Sequence, residues 1–188
     1  MDIYKFFSVV SGIVFASAFV PYIIAIVKRE TKPVISSWVI WATLDTIAFV
    51  AMWVKETING QIAAAVILSW SVVVLAMIFG EKGWTRLDKA CLAVASLGVI
   101  LWLAFNNAVF GIIASQSAIF IGSIPTFRHA LKKPAEENKL AWFLYWLSCP
   151  PAVYAAMQQA SFEALAQPIN FLIIESIMVY LLFFKKRA

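Results

Sequence analysis

Charge is what this sequence has least of. Only 13% of its 188 residues are Asp, Glu, Lys or Arg, about half the share in a soluble globular domain. That shortage argues against a cytosolic enzyme and against a nucleic-acid binder. Two cysteines and one histidine are equally few, and neither Cys91 nor Cys149 has a His or acidic cluster at ligand spacing. No disulfide scaffold, metal site or other cofactor site is therefore expected. What the chain has instead is 63% hydrophobic and 15% aromatic residues, eight of them Trp. Its charges fall into clusters separated by apolar stretches of about 17 to 24 residues, the length that crosses a bilayer. The composition thus predicts an all-α polytopic membrane protein, with the lipid bilayer as its solvent.

Apolar runs bounded by charges, Gly or Asn give seven spans, at 4–27, 34–54, 60–80, 89–105, 108–127, 139–159 and 165–184. The connector at Asn106-Asn107 is the shortest, and a six-span reading would merge the helices on either side of it. Charge decides between the two. Of the fifteen Lys and Arg, all but Lys5 and Lys55 fall on one side of a seven-span chain. Basic residues near span ends stay in the cytoplasm, so the N-terminus is expected outside and the C-terminus inside. Ala16-Ser17-Ala18 has the small residues of a signal-peptidase site, but the apolar run continues to Val27, so no cleaved leader is expected. An integral protein of a bacterial inner membrane fits the short chain. His129, among Arg128, Lys132 and Lys133, reads as a solvated histidine at a cytoplasmic span end.

Shifting the second half of the chain by 104 positions pairs Pro21 with Pro125, Lys28 with Lys132, Trp38 with Trp142, Ala48 with Ala152 and Ala51 with Ala155, without a gap. Trp41 then falls on Tyr145. Each pair marks the same depth in equivalent spans, which points to an internal repeat. Two units of three spans, with one span between them, are parallel in the membrane. The expected plan is 3+1+3: a first three-helix repeat at 1–81, a linker helix at 82–107 and a second three-helix repeat at 108–188. Parallel repeats of this kind hold a solute site at their interface near the midplane.

Pro21-Tyr22-Ile23, followed by Lys28-Arg29, Thr31, Ser36-Ser37 and Trp41, resembles the PQ-loop pattern. The 3+1+3 plan with an outside N-terminus is similar to that of the SWEET sugar transporters and their PQ-loop relatives, over nearly the whole chain. The resemblance implies that prolines act as hinges. Pro21 and Pro125 match the first-span positions, Pro150 lies deeper in the sixth span than the family's proline, and the second span has none. It also implies a pore-facing asparagine in the last span, matched by Asn170, whereas the aligned position of the third span is Val66. Tyr22 and Thr126 stand where the family has glutamine. Nicotinamide riboside carriers are similar in plan too.

Two ionisable residues lie deep inside spans, Asp45 and Glu175, with no Lys, Arg or His at comparable depth. A lone carboxylate at the midplane costs a few kcal/mol, so each should face a polar cavity, share hydrogen bonds or be protonated. Both are candidate proton sites; a structural acid joining two helices is the alternative. Trp38, Trp41 and Asp45 share one face of the second span by their spacing of three and four, and Trp142, Tyr145 and Cys149 share the matching face of the sixth. Trp41 and Tyr145 are read as pocket residues whose rings stack on a solute. Trp38 and Trp142, nearer the cytoplasmic ends, are read as an interfacial belt. Asn170 and Glu175 are about 140° apart on their helix, so one of them faces away from the pore, and the resemblance favours Asn170 as the pore-facing group. Gln116, beside Ser115 and Ser117, completes the candidate substrate-binding set of Trp41, Asp45, Gln116, Tyr145 and Asn170. Gly12, Ser17, Gly122 and Ser123 are read as small residues that let helices approach closely.

The expectation is a carrier, not an enzyme, that moves a small neutral or cationic polar solute by alternating access. The resemblance implies a sugar. A nucleoside-like vitamin or a cationic amino acid with proton coupling suits the Trp and carboxylate content equally, and a cargo receptor similar in plan to the KDEL receptor is a further alternative. The oligomeric state is left open.

Overall fold

The computed structural model describes residues 2–185, with backbone alone at 87, 91, 92 and 95. Lys186 and Arg187 of the charge pattern and the Cys91 side chain lie outside the described residues. Among those described there is no sheet, only an isolated bridge between Val34 and Glu81. The helices are α1 (Ile3–Val27), α2 (Ile35–Val54), α3 (Gly60–Phe79), α4 (Arg86–Phe105), α5 (Ala108–Gly122), α6 (Ile124–Lys132), α7 (Lys139–Met157) and α8 (Phe162–Val179), with a π turn at Tyr180–Phe184. An apolar chain in lipid has no water to satisfy its backbone, which is why each run closes its hydrogen bonds internally as a helix.

Six helical segments are long and apolar enough to cross a membrane: Ile3–Val27, Ile35–Val54, Gly60–Phe79, Ala108–Lys132, Lys139–Met157 and Phe162–Phe184. The outward side chains agree, with Ile67, Leu103 and Phe184 each at least 70% exposed, a surface that a water-soluble monomer rarely presents. The chain is an integral membrane protein. α4 is a helix of 20 residues, but its apolar stretch among the described residues is Ser96–Phe105 and it is not one of the six.

Caps set the helix ends. Thr85 and Asp88 form a reciprocal capping box, which starts α4 at Arg86 rather than at 89. Ser161 accepts from the Ala164 backbone and starts α8 at Phe162 rather than 165. The two connector asparagines divide the work: Asn106 ends α4 in the left-handed region at φ 48°, and the Asn107 side chain caps α5. The fifth span, Ala108–Lys132, is interrupted for one residue at Ser123, whose backbone remains helical at φ −79° and ψ −16°. Pro125 lies in the first turn of α6, where its missing N–H has no helical partner to lose. Pro21, Pro150 and Pro151 sit instead inside continuous helices.

Packing closes a ring. α1 contacts α3 and α7, α2 contacts α3 and α5, and α8 contacts α5 and α7, so the order around the ring is α1, α3, α2, α5, α8, α7. α4 packs outside it, mainly on α5. Small residues permit this closeness. A Cβ on Gly12 would stand 2.7 Å from the Gly60 carbonyl oxygen, and one on Gly122 2.9 Å from the Ile40 side chain. Both glycines therefore act as the sequence predicts, whereas Ser17 is exposed and takes no part in that packing.

Candidate functional site

The ring encloses a cavity to which all six of its helices contribute. Phe15 and Phe19 come from α1, Trp38, Trp41 and Asp45 from α2, Ser69 from α3, Ile119 from α5, Trp142 and Tyr145 from α7, and Phe171, Ile174 and Glu175 from α8. Its volume is about 40 Å³, room for roughly three waters.

Aromatic rings make its walls. Trp38 meets Trp41 at 5.2 Å and 78°, Trp41 meets Trp142 at 6.4 Å and 78°, and Trp142 meets Tyr145 at 5.7 Å and 70°. Phe19 closes the circuit, at 5.1 Å and 79° from Tyr145 and 6.1 Å and 68° from Trp38. Every successive pair is edge to face, the arrangement favoured by the ring quadrupole. The three indole N–H groups are all spoken for. Trp38 donates to the Tyr22 hydroxyl at 3.3 Å, Trp41 to Ser123 Oγ at 3.2 Å and Trp142 to Glu137 Oε2 at 2.8 Å. By contrast Asp45 Oδ1, Glu175 Oε2 and the Tyr145 hydroxyl are buried without a hydrogen-bond partner.

Two sets of polar contacts join distant parts of the chain toward opposite ends of the helices. Toward the 55–61 and 158–167 end runs a buried amide chain: Asn59 donates to Gln167 at 2.8 Å, Gln167 to Gln61 at 3.0 Å, and Gln61 to Ser148 at 2.7 Å. At the opposite, basic end the contacts are ionic. His129 Nδ1 lies 2.7 Å from Glu81 Oε2, and its Nε2 lies 3.4 Å from Glu136 Oε2. Lys133 reaches Glu81 and Glu136 at 3.8 and 3.7 Å, and Lys32 reaches Glu136 at 3.7 Å. Glu137 beside them is buried, and burial pushes its carboxyl up to about 8; the Trp142 hydrogen bond partly opposes this and Glu136 adds to it.

No family model, no curated protein and no solved structure matches the chain. Its site must be read from its own residues.

Of the expected substrate-binding set, Trp41, Asp45 and Tyr145 come together in the cavity. Gln116 and Asn170 do not. Asn170 donates to both the backbone and the side-chain oxygen of Gln116, each at 2.9 Å, and the pair lines an outward groove between α5 and α8. Here the expected pore-facing role is corrected: Glu175, not Asn170, faces inward. The buried stripe of α8 is Ala164, Gln167, Pro168, Phe171, Ile174, Glu175 and Met178, centred near Phe171, and at 100° per residue Asn170 lies about 100° round the helix from that residue. Both candidate proton sites, Asp45 and Glu175, thus share one cavity. The interfacial belt is also corrected, since Trp38 and Trp142 are only 4% and 2% exposed and line the cavity. His129 is buried rather than solvated, because α6 turns Thr126, His129 and Ala130 inward.

Phe15, Phe19, Ser69, Phe171 and Ile174 belong to the site without having been expected there. One signal did exist for some of them: at the repeat offset of 104, Phe15 falls on Ile119 as Trp38 falls on Trp142 and Trp41 on Tyr145, and all six line the cavity.

Proposed function

We propose that the protein is a membrane carrier that moves a small neutral or cationic polar solute by alternating access between two three-helix repeats. The observation that carries this reading is a cavity lined by six helices, with two chemically different sets of polar contacts toward opposite ends of those helices. A carrier must expose one site to each side in turn, never to both. The amide chain and the ionic cluster are chemically different, so one can open while the other holds.

The 3+1+3 plan of the SWEET type supplies the moving parts, with α1 to α3 as one repeat, α4 as the linker span and α5 to α8 as the other. Adding 104 to the bounds of α1, α2 and α3 gives 107–131, 139–158 and 164–183, against the observed Ala108–Lys132, Lys139–Met157 and Phe162–Phe184. The packing supports it too. Exchanging the repeats turns the α1–α7 contact into the α5–α2 contact, and both are present. In this reading Pro125, two residues past the one-residue interruption at Ser123, is a hinge candidate beside Pro21 and Pro150. The basic end faces the cytoplasm of a bacterial inner membrane, with the N-terminus outside.

A sugar would stack its ring on the indoles and donate hydroxyls to Asp45 and Glu175. A nucleoside-like vitamin or a cationic amino acid would use the same walls, and the two carboxyls are where a coupled proton would sit. Purified protein in proteoliposomes should show saturable uptake and counterflow of a solute of this class. Saturable binding without any flux would replace the carrier by a cargo receptor of the same fold.

A further inference from the structure

We infer that the cleft between the α1–α2 turn and the end of α3 binds the phosphate headgroup of an acidic phospholipid from the leaflet at the basic end, held by Arg29 and Lys32 with its chains against α3. The cleft has a volume of about 260 Å³ and is lined by Arg29, Lys32, Ile78 and Phe79. It forms because the turn is pinned to the end of α3. The Glu81 N–H donates to the Pro33 carbonyl at 2.9 Å, and Gly80 comes so close that a Cβ there would stand 2.5 Å from the same oxygen. Two cations thus stand over the last turn of a membrane helix. From there toward the middle of α3, Ile78, Val74 and Ile67 share one face by their spacing of four and seven, each more than half exposed. A cationic cleft at the head of an apolar stripe matches the two chemistries of a phospholipid.

The backbone of Arg29 is the second ground. α1 ends in a Schellman motif, in which the Arg29 N–H donates to the Ile26 carbonyl and the Glu30 N–H to the Ala25 carbonyl, each at 2.9 Å, with Arg29 left-handed at φ 61°. Glycine is the usual residue there, since a side chain strains that conformation. An arginine kept at such a position points to work done by its side chain. Charge is the third ground. At the offset of 104 Arg29 falls on Lys133, and Lys133 is held between Glu81 and Glu136. Arg29 has no carboxylate partner among the described residues; its guanidinium lies 5.8 Å from the centroid of the Phe79 ring. A guanidinium fork matches two phosphate oxygens at once. Lys32 is shared, since its Nζ reaches Glu136 Oε1 at 3.7 Å, but its side chain is 49% exposed and has further N–H groups to offer. With Lys28, the turn carries three cations and one carboxylate, Glu30.

Native mass spectrometry and melting temperature of the purified protein in neutral detergent test this. Phosphatidylglycerol is the probe, phosphatidylcholine its zwitterionic mate and inorganic phosphate the free anion. Phosphatidylglycerol should bind saturably, raise the melting temperature and bind about tenfold or more tighter than phosphatidylcholine. Arg29→Asn and Lys32→Gln should each weaken it about fivefold, Asn being a residue that accepts the left-handed backbone, and Arg29→Lys should keep part of the affinity. Lys89→Gln removes a cation at the same end of the helices but outside the cleft, and should change binding by no more than about twofold. Equal binding of the two lipids overturns the inference. So does an equal loss in all three charge-removing variants, which would make the attraction a property of the whole basic end. Inorganic phosphate that raises the melting temperature as much as the lipid overturns the lipid and leaves a free-anion site. If a variant does not fold, the wild-type comparison of the two lipids decides alone.

Discussion

Replacing Glu137 by Gln should make the protein more stable at neutral pH. Glu137 sits in the bend between α6 and α7, 7% exposed, with its Oε2 accepting the Trp142 indole N–H at 2.8 Å. Burial holds the carboxyl at about 8 in the folded chain, against an ordinary value of 4.5. A group that binds its proton more tightly when folded contributes full stability below its unfolded value, and loses that contribution as pH rises through its folded value. The window therefore runs from about 4.5 to about 8, and the stability lost by pH 8 is about 4 kcal/mol. Gln keeps the oxygen that accepts from the indole and cannot ionise. Unfolding of both proteins in mixed micelles, followed by Trp fluorescence across this range, should give parallel behaviour below pH 4.5. Above it the wild type should fall progressively behind Glu137→Gln. The same pH slope in both proteins would refute the reasoning.

Gln61→Leu should destabilise the fold by about 2 kcal/mol, because it leaves the buried Gln167 N–H without its acceptor and removes the bond that the Ser148 hydroxyl accepts; thermal unfolding in detergent checks it, and Gln61→Glu should be no better tolerated. His129→Ala should free the basic end, since one imidazole stands between Glu81 and Glu136. In that variant a cysteine placed at Trp41 should react faster with a thiol reagent added from the basic side, and an unchanged rate would count against an ionic closure there.

The helices were legible because the solvent left them no choice. Seven apolar runs in the sequence correspond to helical segments; α4 and α8 start three residues early where Thr85 with Asp88 and Ser161 cap them, the fifth segment runs on from the expected 127 to Lys132, and the sixth ends at Met157, two residues short of the expected 159. The interrupted fifth span was less legible, since Pro125 and Pro21 occupy equivalent positions in the repeat and only one of them follows an interruption. At the site, helical spacing brought Trp41 and Asp45 together correctly, because residues four apart on one helix must share a face. Asn170 failed for a different reason: it was placed by likeness to other chains, while the rotation of α8 is set by its own stripe of buried side chains through Gln167, Phe171 and Ile174. Trp38 and Trp142 failed because depth alone does not tell a ring facing lipid from one facing inward. The exposed indoles of this chain are others, Trp53, Trp70 and Trp84.

Ser123 links two things that have been described apart. It is the residue at which the fifth span is interrupted, and its Oγ accepts the Trp41 indole N–H at 3.2 Å. Beyond it α6 is a rigid arm of nine residues, about 13 Å long, that carries His129 toward its tip. A swing of roughly 10° about Ser123 would displace His129, about 9 Å along that arm, by about 1.5 Å. One rotation would thus unlatch Glu81 from His129 at the far end and, at the fulcrum, tug on an indole that walls the cavity. In a carrier of the proposed kind, Ser123 would therefore tie a wall of the cavity to the helix that carries the His129 contact, so that a change at one would be felt at the other.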